Sequence, residues 1–191
     1  MIIRRLYEAR TSSNSSFKKE AEWLIKDKKY GNNFSNKCFF GNGEYVYTNT
    51  IMCLMSDYDL GIGEPVENEG FVKHIDSLKN ECTREISVPK LIDLTQHIKT
   101  DVERQKQDWE TRFHYNKDKF SKDRTFYDFG KNDSDEIDET LPMVDANYLK
   151  HMLNAMGNDV RCYTGDKSIS PLYFISSNGE GILMPVKRNY K

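Results

Sequence analysis

LPMVDANYLKHMLNAMGNDVRCYTGDKSISPLYFISSNGEGILMPVKR, residues 141–188, carries the reading from which the fold is built. Leu141–Val144 reads as a strand, and Asp145 stands where a helix needs a side-chain acceptor for its first free amides. Leu149, Met152, Leu153 and Met156 then recur at i, i+3, i+4 and i+7, one apolar stripe of a helix, and Gly157 supplies the stop. Asp159–Thr164 alternates, with Val160 and Cys162 on one face. Pro171–Ile175 is a further strand, Ser176–Gly179 a turn, and Gly181–Val186 the last strand. The order is strand, helix, then three consecutive strands.

Working outward, residues 85–129 read on the same plan. EISVPKLIDLTQHI stands opposite LPMVDANYLKHMLNAM, each a strand delivering a helix after one or two residues. Pro89 fits a helix start, where its missing N–H is not needed. That helix is expected to reach about Thr100, with Leu91, Leu94, Thr95 and Ile98 on its buried stripe. Residues 101–109 either extend it or loop out. ETRFHY (110–115) and RTFYDF (124–129) then read as aromatic strands around the charged turn NKDKFSKD. The acidic stretch 130–140 reads as a solvated loop.

Before position 85, SFKKEAEWLIKDKK (16–29) is expected to be a helix, with Phe17, Ala21, Leu24 and Ile25 on one stripe and Ser15 or Ser16 as cap. Residues 37–56 read as a hairpin: KCFF, the turn GNGE, then YVYTNTIMCLMS. Asn42-Gly43 provides the left-handed backbone that the turn requires. Residues 57–70 read as loop, and FVKHIDSLK (71–79) as a short amphipathic piece. The expectation is an α+β chain in two parts, 1–82 and 83–191, the second built of two βαβββ halves with helices on one face of antiparallel sheets.

Composition narrows the classes. With 30% charged and 37% hydrophobic residues in 191, the chain reads as a globular protein with a sizeable core. No apolar run approaches the roughly 18 to 20 residues that span a bilayer, and MIIRRLYEARTSS lacks the apolar core of a secretory signal. A cytoplasmic location is therefore expected. Cys38, Cys53, Cys82 and Cys162 are too scattered for a metal site and read as reduced core thiols. Residues 1–30 hold eight basic side chains against four acidic ones, whereas residues 128–140 hold six acidic against Lys131 alone. A chain of net charge −2 can still offer nucleic acid a positive face.

Catalytic frames are missing from the sequence. His74, His97, His114 and His151 form no HExxH frame, and no GxSxG, P-loop or dinucleotide glycine pattern occurs. Asp57 and Asp59 form a DxD that could hold Mg²⁺ in a metal-dependent enzyme. The tract 133–139 lacks the spacing and central glycine of an EF-hand. Neither enzyme activity nor a cofactor is expected.

Three pieces of the opening stretch carry a family resemblance: VDANYLKHMLNAM, DVRCYTG, and SPLYFISSNGEGILMPVKR. They resemble the C-terminal half-domain of the β-type DNA polymerase sliding clamps. Such chains end in a helix introduced by an Asn- and Tyr-containing turn, a strand, a Ser-Pro-aliphatic strand, and a last strand closing on Met-Pro, an apolar residue and a basic one. The resemblance covers 141–188, extends more weakly over 85–129, and FFGNGEYVYTNT is faintly similar to the first-domain hairpin of clamps. The departure is length, because a clamp chain carries three domains of two halves and closes a ring as a dimer.

The resemblance implies a DNA replication or repair accessory factor that self-associates, contacts duplex DNA without reading sequence, and docks peptides from polymerases or repair proteins. It implies helices facing DNA, which nominates Lys90, Gln96 and Lys99 on one helix and Asn147, Lys150, His151 and Asn154 on the next. An ordinary solvated helix face reads the same way. By motif it places peptide docking at Leu183, Met184, Pro185 and Val186, where a proline near a strand end would leave an open edge. The alternative is a clamp-fold adaptor or decoy that has lost DNA binding.

Overall fold

The structure, a computed structural model, describes residues 15–27, 34–113, 124–131 and 137–187. Its first helix, α1, spans residues 15–26. The elements that follow are β1 (Lys37–Gly41), β2 (Glu44–Thr48), β3 (Met52–Ser56), β4 (Glu64–Glu67), α2 (Glu69–Asn80), β5 (Arg84–Ile86) and α3 (Leu91–Phe113). Then come β6 (Phe126–Asp128), β7 (Met143–Asp145), α4 (Ala146–Met156), β8 (Arg161–Thr164), β9 (Leu172–Ser176) and β10 (Gly179–Leu183). Eight strands form one mixed sheet in the order β4-β1-β2-β3-β10-β9-β8-β5, while β6 and β7 form a separate two-stranded ribbon. The chain is thus α+β.

Strand alternation divides the core between the two faces of the sheet. β3 is buried at all five positions. Met52 and Leu54 point to a layer that holds Phe17, Ala21 and Leu24 of α1 and Leu149, Met152 and Met156 of α4. Cys53 and Met55 point the other way, with Phe39, Val46 and Ile182, against Val72 and Ile75 of α2. Leu94 and Ile98 bring α3 into the first layer, where it packs along α4. The approach of α4 to the sheet depends on Gly181: a Cβ there would lie 2.5 Å from Met152 Sδ.

The connectivity contains an internal likeness. α1 leads into β1-β2-β3, α4 leads into β8-β9-β10, and the two third strands pair antiparallel, with Leu54 opposite Gly181 and Cys53 opposite Ile182. This antiparallel pairing joins the two runs of strands into one sheet. The likeness stops at the edges, since β4 runs parallel to β1 whereas β5 runs antiparallel to β8.

Several expectations are corrected. YVYTNTIMCLMS is two strands, because Asn49 Oδ1 accepts from the amides of Ile51 and Met52 and Thr48 Oγ1 from that of Thr50, forming a turn. With β1 this gives a three-stranded meander rather than a hairpin. Residues 64–67, expected as loop, form β4. FVKHIDSLK lies within α2, whose N-cap Asn68 accepts from Phe71 N. α3 continues through 101–109 and takes up 110–113, so ETRFHY is not a strand; His114, Tyr115 and the turn at 116–123 lie outside the described residues. Pairs at helical spacing favour the extension: Gln105 Nε2 donates to Asp101 at 2.9 Å, and Lys106 meets Glu103 at 3.0 Å. The hairpin of β6 with β7 stands apart from the large sheet, so 85–129 does not repeat 141–188; the matching units begin at α1 and α4. β3 and β10 pair across the boundary drawn between residues 1–82 and 83–191.

Candidate nucleic-acid and docking interfaces

The α4 face follows from its entry. Asp145 is the N-cap, its carboxylate accepting from Asn147 N and Tyr148 N, and Gly157 closes the helix at φ 81°. This phase buries Leu149, Met152, Leu153 and Met156 and leaves Asn147, Lys150, His151 and Asn154 half-buried. Part of that face is occupied by α1. His151 Nδ1 lies 2.6 Å from Glu20 Oε2, and its ring stacks on Trp23 at 3.5 Å between centroids, 11° from parallel. Ser16 Oγ donates to the Asn154 carbonyl at 2.7 Å. Tyr148 Oη donates to Asp27, which also accepts from Asn49 Nδ2 at 2.8 Å.

The seven nominated DNA-contact residues therefore occupy two environments. Lys90, Gln96 and Lys99 are exposed on and before α3, whereas His151 and the Asn154 backbone are engaged by α1. Gln96 Nε2 bonds Thr100 Oγ1, and neighbouring His97 Nε2 meets the Phe126 carbonyl at 2.9 Å. The same side exposes Lys18, Lys19 and Lys26 on α1, which a helix-by-helix reading of the sequence passes over. The basic excess within residues 1–30 is the signal that could have found them.

On the opposite side of the sheet, three carboxylates gather around one lysine. Lys79 of α2, its side chain only 12% exposed, lies 3.0 Å from Glu44, 3.0 Å from Asp76 and 2.9 Å from Glu180. The Glu180 approach is an ion-pair contact without hydrogen-bond alignment at Oε2. Burial pulls the Lys79 pKa down, but Glu180, Asp76 and Glu44 outweigh it and hold the ammonium above its ordinary value. Burial, then the Glu180 charge, raises the Tyr173 hydroxyl.

The expected edge at the C-terminal strand is absent. β10 runs between β3 and β9, and Leu183 is fully buried. Met184 N donates to the Ile51 carbonyl at 2.8 Å and Val186 N to that of Met143 at 2.8 Å, so the backbone on both sides of Pro185 is already paired. Met184, Pro185 and Val186 remain half-buried, with Met184 packed on the α2 side. A peptide could meet their side chains but could not add a strand there.

Asp59 Oδ1 accepts from Gly61 N at 2.8 Å, closing a turn in which Gly61 has φ 66°. Exposed Asp57 lines a shallow hollow with Glu44, Tyr58 and Ser177. Among the described residues no three His, Cys, Asp or Glu side chains are arranged to hold a metal ion. All four cysteines are free and buried, and burial pushes the Cys53 and Cys82 thiols up to about 11. No described helix is long and apolar enough to cross a membrane.

A second cleft, of about 700 Å³, opens where α1, the start of α3 and the end of α4 meet. Val88, Leu91, Ile92, Leu153 and Val160 give it an apolar wall, and among the described residues Lys90 is its only charged lining group. Asn178 Nδ2 fixes one side by donating to the Ala155 and Met156 carbonyls.

Compared with protein-family profiles, curated proteins and solved structures, the chain matches none.

Proposed function

We propose that the chain is a clamp-fold accessory factor of DNA replication or repair, acting by contact rather than by chemistry. It presents its helical layer to duplex DNA, associates with itself, and docks peptides of partner proteins. The observation that carries this reading is the paired α-β-β-β arrangement, with α1 and α4 on one face of a continuous sheet and β3 hydrogen-bonded to β10. Exposed lysines support it: Lys18, Lys19 and Lys26 on α1 and Lys90 and Lys99 at α3 are open to a phosphate backbone. Lysines without rigid base-reading partners suit phosphate contact, which holds duplex without specifying sequence.

Titrating the chain onto unrelated duplexes of equal length by fluorescence anisotropy tests this. Equal affinities that fall steeply as salt rises are expected, and alanine at Lys18, Lys19 and Lys26 together should flatten the salt dependence by about one unit of slope for each lysine that neutralises a phosphate. No binding at low ionic strength sinks the DNA part. It would leave the second reading, a clamp-fold adaptor without DNA, which the engagement of His151 and Asn154 by α1 favours.

A further inference from the structure

We propose that two copies of this chain pair along the β5 edge of the sheet, Ile137 of each copy entering the other's Leu91–Ile92 cleft with the Glu139 carboxylate facing Lys90. This deepens the self-association part of the reading above and rests on it.

The cleft has an unfinished apolar wall. Ile92 is 75% exposed and Leu91 39%, adjacent at the first turn of α3 and continuous with Val88, Val160 and Leu153. Its electrostatics are of one sign. Lys90 is the only charged group lining it among the described residues, and Lys90 also stands at the cap position of α3, where its carbonyl accepts from Leu94 N at 3.0 Å. Asp93 in the first turn of the 23-residue helix faces the helix dipole, so Lys90 is the charge that the cleft itself presents. The walls are already held by Ser16 and Asn178. An apolar anchor flanked by carboxylates is the complementary ligand.

This chain carries such an anchor. Ile137 is 48% exposed and sits in DSDEIDE (133–139), which has five carboxylates and no basic residue. Arg84 of β5 holds the residues just after the anchor, donating to Thr140 Oγ1 at 3.0 Å and Asp138 Oδ2 at 3.2 Å. Arg84, which holds Asp138, and Val88, which lines the cleft, flank β5 at the sheet's edge, so anchor and cleft lie along that same edge. A patch that contains both halves of a contact is self-complementary and closes as a twofold dimer, each copy giving and receiving. The chain's own first 14 residues are a poorer occupant, since Arg4, Arg5 and Arg10 outnumber Glu8 and would face Lys90.

Sedimentation velocity on the full chain decides it. Wild type should run as a concentration-dependent dimer that loosens as ionic strength rises. Ile92→Ser and Ile137→Ser should each weaken it by about tenfold or more, as expected for apolar anchors at an interface centre. Both sites are exposed, so unchanged thermal unfolding should accompany the loss. Lys90→Glu should weaken the dimer, and Glu139→Lys in that background should restore it. A synthetic peptide of residues 131–140 should compete.

A strict monomer, or a dimer indifferent to all four substitutions, overturns the proposal. A monomer that takes up an unrelated acidic-apolar peptide at Ile92 also overturns it, reassigning the cleft to an outside partner. DNA binding measured on the same variants separates the two ideas. Loss of the DNA interaction in wild type with the dimer intact sinks only the DNA part, whereas DNA binding by an unaltered monomer sinks only this pairing.

Discussion

Asp145 ends β7 and starts α4 with a single carboxylate, 3% exposed, that accepts from Asn147 N at 2.9 Å and Tyr148 N at 3.4 Å. Asp145→Ala removes the acceptor and leaves those amides enclosed, so it should cost about 1–2 kcal/mol in urea denaturation, and Asp145→Asn should recover most of it. Asp159 acts similarly at the β9–β10 turn. The Ser177 amide, 2.9 Å from its carboxylate, holds its pKa below the ordinary 3.8. A folded-state value below the unfolded one stabilises above the ordinary pKa, and the contribution is lost as pH falls through the folded value. The stability gap between wild type and Asp159→Asn should therefore be full near neutrality and close below about pH 4. The thiols give a third outcome. With Cys53 and Cys82 near 11 and Cys38 and Cys162 also raised by burial, a thiol-specific disulfide reagent at neutral pH should label none quickly in the folded chain and all four in denaturant.

At the scale of elements, the packing of α4 on β10 is set by a missing side chain. A Cβ on Gly181 would meet Met152 Sδ at 2.5 Å and the Met152 and Met156 Cε atoms at 2.8 Å. These are ends of flexible side chains, so Gly181→Ala should fold but lose about 1–3 kcal/mol, read as a lowered Tm. The same helix explains what could be read in advance. Around α4 the cap, the apolar period and the stopping glycine agree within 13 residues, 145–157, so its bounds and buried stripe were legible. β4 was not, because EPVE has no apolar alternation and is a strand only through its pairing with β1 more than 20 residues away. Nor was the break at Asn49, which rests on one side chain turning back on its own backbone. The engagement of His151 and Asn154 was hidden for a related reason. Periodicity gives the polar side of α4 but not that α1, some 130 residues earlier, sends Glu20 and Trp23 onto His151.

For the whole molecule, the β3–β10 seam decides how the chain folds. The layer beneath α1 and α4 draws Phe17, Leu24, Tyr47 and Leu54 from before residue 82 and Leu149, Met152, Phe174 and Leu183 from after it, all fully buried. Severing the chain at 82/83 would bare β10 along the edge that pairs with β3 and strip α1 from α4. An exposed, flat apolar edge of that kind is an aggregation template, and each fragment would turn its side of the shared layer to water. The chain should therefore unfold in urea as one transition, with circular dichroism and the fluorescence of a Trp109→Phe variant superimposing, because Trp23 then reports alone on the α1–α4 packing that the seam supports. Residues 83–191 expressed alone should not give a cooperative transition, and mixing them with residues 1–82 should restore one. A sharp independent transition in the 83–191 fragment would contradict the seam argument and return the C-terminal part to the status of a self-sufficient domain.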